Sequence, residues 1–146
     1  MKKMILAFCL LLILSNYTKA QTYVTIPDSN FVGWLNANLP TAMNGNQLNT
    51  SDTLVTSLIN MDVSNDTIYD LTGVEYFTSL KYLNCSFNRL TFLPIVSNTI
   101  QTLDVSFNEI DSLLQLPTSL RNFACGQNSI DTLPTFPSFI KTIDCH

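Results

Sequence analysis

Apolar and polar positions recur with a fixed period of 20 residues along the second half of the chain. The stretches LKYLNCSFNRLTFLPIVSNT from Leu80, IQTLDVSFNEIDSLLQLPTS from Ile100 and LRNFACGQNSIDTLPTFPSF from Leu120 align without gaps. The leading apolar column is Leu80, Ile100, Leu120 and Ile140. Three positions on stand Leu83, Leu103, Phe123 and Ile143, and five on stand Cys85, Val105, Cys125 and Cys145. Leu90, Ile110 and Ile130 follow, then Leu93, Leu113 and Leu133, then Val96, Leu116 and Phe136. One polar column is invariant: Asn88, Asn108 and Asn128. A period of this length marks a stacked array, because one such unit cannot bury its apolar face alone. Each unit predicts a short strand, near 82–84, 102–104 and 122–124. Strand alternation sends Leu83 and Cys85 inward and Tyr82, Asn84 and Ser86 to solvent. The return paths carry Pro94, Pro117, Pro134 and Pro137, which forbid a regular helix and predict extended or polyproline segments.

The columns spell L-x-x-L-x-L-x-x-N-x-L, and residues 58–146 therefore resemble the leucine-rich repeat family. An earlier, 22-residue unit fits through Leu58, Met61, Val63, Ile68, Leu71 and Val74, with Asp66 where the Asn belongs. The units run 58–79, 80–99, 100–119 and 120–139, with a partial unit at 140–146. The resemblance implies an α/β solenoid with a curved parallel sheet on its concave side and extended or turn segments on its convex side. It is similar to the short-repeat, secreted bacterial type of the family. It also implies that Asn88, Asn108 and Asn128 form a ladder of hydrogen bonds to loop backbone groups. Asp66 only accepts when ionised, so a looser first turn is expected.

Residues 21–57 read as an N-terminal cap. Ile26-Pro27-Asp28-Ser29 resembles a helix start, and Phe31, Trp34, Leu35 and Leu39 follow at helical spacing up to Pro40. Asn44-Gly45-Asn46 marks a turn. An amphipathic helix laid across the first strand would cover the open end of the array, and internalin-like repeat proteins carry caps of this kind. Trp34 is expected in the cap core rather than as a ligand platform. Residues 1–20 have the three parts of a signal peptide: Lys2 and Lys3, the apolar run Met4 to Leu14, and a small residue at Ala20. That run is too short to span a bilayer. The expected location is secreted or at the cell surface.

Composition sharpens this picture. Only 12% of the residues are charged, about half the usual share, while Asn, Thr and Ser number 15, 17 and 13. Lys and Arg together number seven, which argues against a nucleic-acid binder. Without residues 1–20, four cations (Lys81, Arg89, Arg121, Lys141) face eleven acids, a net charge of −7. Such a chain repels nucleic acid and anionic head groups.

The concave face is where this family usually binds its partners, and a protein or glycan ligand is the expectation that follows. The best candidates for contact are Tyr82, Asn84, Phe87, Thr102, Asp104, Phe107 and Asn122. Phe87 and Phe107 fall one unit apart at the sheet edge; the simpler reading is that they cover the turn and pack on each other. Asp62 and Asp104 lie two strands apart, about 9–10 Å, too far to share a calcium ion. Cys125 and Cys145 fall on neighbouring strands within disulfide range, yet both point the same way, and buried free thiols are the expectation. Zinc, any other cofactor and a catalytic site are not expected: there is no C-x-x-C pair, the sole His is His146, and no Gly-rich phosphate loop is present. Asn49-Thr50-Ser51, Asn65-Asp66-Thr67 and Asn84-Cys85-Ser86 match the glycosylation sequon, a motif frequent by chance. The fifth unit opens at Ile140 and stops at His146. Two expectations follow from this: a fragment of a longer protein, or a last strand that pairs with another chain. A spacer within a larger cell-surface protein is the alternative to a binding module.

Overall fold

A computed structural model describes residues 21–146, so the expected signal segment lies outside the described residues. The cap comes first. β1 (Tyr23–Thr25), β2 (Met43–Asn44) and β3 (Gln47–Asn49) form an antiparallel sheet in the order β1-β3-β2. Gly45, at φ +63°, takes the left-handed position of the turn joining β2 to β3. These strands are too short for alternation to announce them in sequence, and the expectation of a helix alone missed them.

Helix α1 (Ser29–Asn38) lies between β1 and β2. Phe31 and Leu35, four residues apart, form its fully buried stripe, and Trp34 packs half-buried against the same core. Its start is held by Asp28, whose Oδ1 accepts from the N–H groups of Asn30 and Phe31 at 2.8 and 2.9 Å. The other oxygen, Oδ2, accepts from Tyr69 and Asp70 N–H at 2.8 and 3.3 Å. One carboxylate thus caps the helix and fastens it to the first turn of the array. Asn30 Nδ2 adds a bond to Thr67 O at 2.8 Å. The fastening contacts run to residues 67–73, beyond the first strand. Gly73, at φ +112°, permits the close approach: a Cβ there would collide with Ile26 of the cap.

A short helix, α2 (Thr53–Ser57), capped by Asp52, leads into the array. Five strands follow: β4 (Asn60–Asp62), β5 (Tyr82–Asn84), β6 (Thr102–Asp104), β7 (Asn122–Ala124) and β8 (Thr142–Asp144). They form one parallel sheet in sequence order. Asn60 pairs with Tyr82, Tyr82 with Thr102, Thr102 with Asn122 and Asn122 with Thr142. The register thus advances by the sequence period, and the chain is a solenoid with few helices. Between strands the backbone is extended or turned. A turn closed by Leu80 N–H to Phe77 O recurs at Ile100–Ser97, Leu120–Pro117 and Ile140–Pro137. Among the described residues no helix is long and apolar enough to cross a membrane.

The core is the stack of inward columns. Met61, Leu83, Leu103 and Phe123 at the strand centres are buried, as are Val63, Cys85, Val105 and Cys125 two residues on. Leu93 and Leu113 of the next column are buried as well, but Leu133 is 41% exposed, as are Phe136 and Ile143 to similar degrees. These three belong to the last described turns, where fewer neighbours cover them.

Two expectations need correction. Cys125 and Cys145 are joined in a disulfide rather than free, with Cα atoms 4.5 Å apart. In-register parallel neighbours bring the two Cα atoms inside bonding range, and pointing to the same side of the sheet does not prevent closure. Ser86 was expected in solvent and is 4% exposed, because its hydroxyl folds back onto Asn84. Cys85 is free and buried, its Sγ donating to Asp104 O at 3.3 Å. Burial first, and the nearby Asp104 charge second, push its thiol well above the ordinary range.

Candidate binding face

The outward face is built from the strand ends. In the first column Asn122 Nδ2 donates to Thr102 Oγ1 at 3.2 Å, and Thr142 Oγ1 donates to Asn122 Oδ1 at 2.9 Å. Three neighbouring strands are thereby linked side chain to side chain on their exposed surface. Tyr82, in the same column, is 36% exposed and is its only aromatic residue.

The second column does structural work at each strand end. Asn84 Oδ1 accepts from Ser86 N–H and Oγ at 3.1 and 2.7 Å. Asp104 Oδ1 accepts from the same two groups of Ser106, and Asp62 Oδ1 accepts from Ser64 N–H at 3.1 Å. These are Asx turns, in which a short polar side chain bonds the backbone two residues on. The spacing [Asn/Asp]-x-Ser at 62–64, 84–86 and 104–106 was readable in the sequence, but as two separate outward columns it concealed the bond. Asn84 and Asp104 therefore each present only part of their polar surface outward.

Next come residues in the left-handed region: Asn65 (φ 60°), Phe87 (54°), Phe107 (54°) and Gln127 (56°). For a residue as bulky as Phe this conformation is an outlier that costs on the order of 1–3 kcal/mol. It is held by backbone bonds on both sides. Phe87 N–H donates to Ser106 O, and Phe107 O accepts from Asn88 N–H. The rings of Phe87 and Phe107 stack in parallel, 4.2 Å between centroids and 9° between planes, and are 54% and 46% exposed. They do pack on each other, and about half of each remains exposed at the end of the strands.

Behind this edge runs the Asn ladder. Asn108 Oδ1 accepts from Leu90 N–H at 3.0 Å, and Nδ2 donates to Cys85 O and Val105 O, each at 3.0 Å. Asn128 repeats the pattern with Ile110 N–H, Val105 O and Cys125 O. Asn88 accepts from both Asp66 and Ile68 N–H and donates to Val63 O and Cys85 O. Each amide joins two turns and satisfies backbone groups that are shut off from water. Asp66 is exposed, and its turn carries a second left-handed residue, Thr67 at φ 58°, beside Asn65. The first turn is thus irregular.

On β7 the edge changes. Ala124 stands in the Asn84/Asp104 column and Gly126 in the Ser86/Ser106 column. An open notch lies here, lined by Asp104, Ser106, Phe107, Ala124, Gly126, Gln127, Asp144 and His146. His146 Nδ1 lies 3.7 Å from Asp144 Oδ1. Of the sequence-nominated residues, the fold brings together Thr102 with Asn122 and Phe87 with Phe107, and places Asp104 beside Phe107 on this notch. Tyr82 stands apart from it. The notch escaped sequence reasoning because it depends on how β7 and β8 stack: the His146 backbone closes over Gly126, leaving no room there for a Cβ. No protein-family model matches the chain, and no curated protein is found to match it.

Proposed function

We propose that the chain is a leucine-rich repeat module, exported by residues 1–20, that binds a protein through the outward columns of its concave sheet. The observation that carries this reading is the sheet face itself: five in-register strands held from behind by the Asn ladder. Rigid strands that present side chains at fixed spacing suit recognition, since little ordering entropy is lost on binding. Tyr82, Thr102 and Asn122 lie on that face, with Phe87 and Phe107 along its edge. The 20-residue period, the Asn column and the helix-bearing cap support the family reading. The reading assigns no catalytic residue.

The test is capture of a partner from the organism's surroundings by the intact protein, followed by single alanine variants at Tyr82, Thr102 and Asn122. Tyr82→Ala should weaken binding by about tenfold or more, as for a central aromatic anchor. Undiminished binding by all three variants would place the interface elsewhere.

A further inference from the structure

The Lys and Arg side chains of the described residues are not scattered. Lys81, Arg121 and Lys141 are three of the four, and they occupy one column, each a single residue ahead of its strand. The column runs Ile59, Lys81, Gln101, Arg121 and Lys141. Each N–H donates to the carbonyl of the member before it, from Lys81 N–H to Ile59 O through to Lys141 N–H to Arg121 O. Backbone bonds therefore set the row, and no side chain is needed to hold it. All three cations are exposed, and among the described residues none of them joins an ion pair or a side-chain hydrogen bond. Lys81 and Arg121 stand two strands apart, about 9–10 Å, while Arg121 and Lys141 are direct neighbours at about 4.8 Å. Like charges side by side on adjacent strands destabilise a sheet, so this pair is a cost to the fold that an anion from outside would relieve.

The acids of the same sheet lie elsewhere. Asp62, Asp104 and Asp144 stand three residues on from the cation column, about 10 Å away at the ordinary rise. Physiological salt screens exposed charges over about 8 Å, so the negative charge of the whole chain does not cancel the row. From this we infer that the column is the docking row for an acidic, extended segment of a protein partner. Its carboxylates fall on Lys81, Arg121 and Lys141 as the segment runs across the strands. The inference rests on the sheet-face reading above and adds the charge of the partner. An extended chain advances about 3.3 Å per residue, so three residues span the step from Lys81 to Arg121, and the flexible lysine stems take up the remaining mismatch. A narrow segment reaches this row without covering the acid column, whereas a nucleic-acid duplex would bring phosphates onto those acids. An acidic sugar chain has the charge but also hydroxyls to satisfy, and in the adjoining column Thr102, Asn122 and Thr142 already bond one another.

The probe is the capped peptide acetyl-hexaglutamate-amide, titrated into the intact protein and followed by NMR at low and at physiological salt. Its controls are the hexaglutamine peptide, of similar shape without charge, and hexagalacturonate, six carboxylates on a sugar chain. Amide shifts should concentrate on Lys81, Gln101, Arg121 and Lys141. Binding should weaken several-fold as salt rises and be about tenfold weaker for hexaglutamine. Gln101 shows that the column tolerates Gln, so Arg121→Gln and Lys141→Gln remove charge without removing the fold. Each should weaken hexaglutamate by about two- to fivefold. Each should also leave the melting temperature unchanged or raised, because a like-charge contact goes with it.

Equal shifts from hexaglutamine overturn the charge reading. Tighter binding of hexagalacturonate than of hexaglutamate makes the ligand an acidic glycan and overturns the peptide. Shifts as large around Arg89, which lies outside the column, or a lower melting temperature in either variant also overturn the inference. A captured partner whose binding depends on Tyr82 but not on Arg121→Gln combined with Lys141→Gln sinks this inference alone. Partner binding indifferent to Tyr82, Thr102 and Asn122 sinks the broader reading.

Discussion

Two successive turns of the solenoid have nearly the same backbone and very different edges. After β6 the chain reads Asp104-Val105-Ser106-Phe107; after β7 it reads Ala124-Cys125-Gly126-Gln127. Phe107 and Gln127 sit at φ 54° and 56°, and Asn108 and Asn128 make equivalent ladder bonds. The path of the turn is thus decided by its inward residue and its Asn, because those satisfy buried volume and buried backbone groups. The Asx turn and the stacked ring are additions at the rim, and β7 dispenses with both. What is dispensable to the fold is what is available for recognition.

Removing the ladder should break this comparison most severely. Asn108→Ala leaves Leu90 N–H without a partner away from water and takes one of two amide donors from each of the Cys85 and Val105 carbonyls, and about 3–4 kcal/mol of stability should go in urea unfolding. Asn128→Ala, in a part-buried setting, should cost less than Asn108→Ala. A loss at Asn108 no larger than at an exposed Asn would refute the ladder's role.

The disulfide comes next. Cys125→Ser with Cys145→Ser should lower stability by about 3 kcal/mol, the chain-entropy value for closing a loop of this size. Amide exchange should speed up in β7 and β8 and stay unchanged in β5.

Cys85 offers a contrast within the same column. Its raised thiol stays protonated, so iodoacetamide at pH 8 should label it only on unfolding. The sign of the linkage follows: above the ordinary thiol value the unfolded state sheds a proton that the folded state keeps, so stability falls as pH rises. Labelling of the folded protein at the rate of a free thiol would contradict this burial.

The rim substitutions should do least. Phe107→Gln loses the stack on Phe87, about 0.5–1.5 kcal/mol. Asp104→Ala loses the Asx turn for about 1 kcal/mol, whereas Asp104→Asn should stay within about 0.5 kcal/mol. If Asp104→Asn proved as costly as Asp104→Ala, the carboxylate's charge, and not its acceptor geometry, would be holding the turn.

The cap shows where legibility stops. Asp28 was readable as a helix cap, since the N–H groups it accepts from lie two and three residues on. That its second oxygen binds Tyr69 and Asp70 was not, because the pair lies 41 and 42 residues away with no periodic signal. Likewise β1, β2 and β3 hold two or three residues each, too few to show alternation. Trp34 packs half-buried against the core, on the side its helical spacing indicated.

By itself the sequence determined the period, the inward columns, the Asn positions and the helix that carries Phe31, Trp34 and Leu35. Each of these follows from local chemistry repeated often enough to be read: volume, alternation, and an amide that both donates and accepts. Only the tertiary structure decided which thiols pair, where Ser86 hides, and that the His146 backbone packs onto Gly126 beside the notch between Asp104 and Asp144. Those outcomes depend on distances across neighbouring strands, which the one-dimensional order of residues sets only after the turns have stacked.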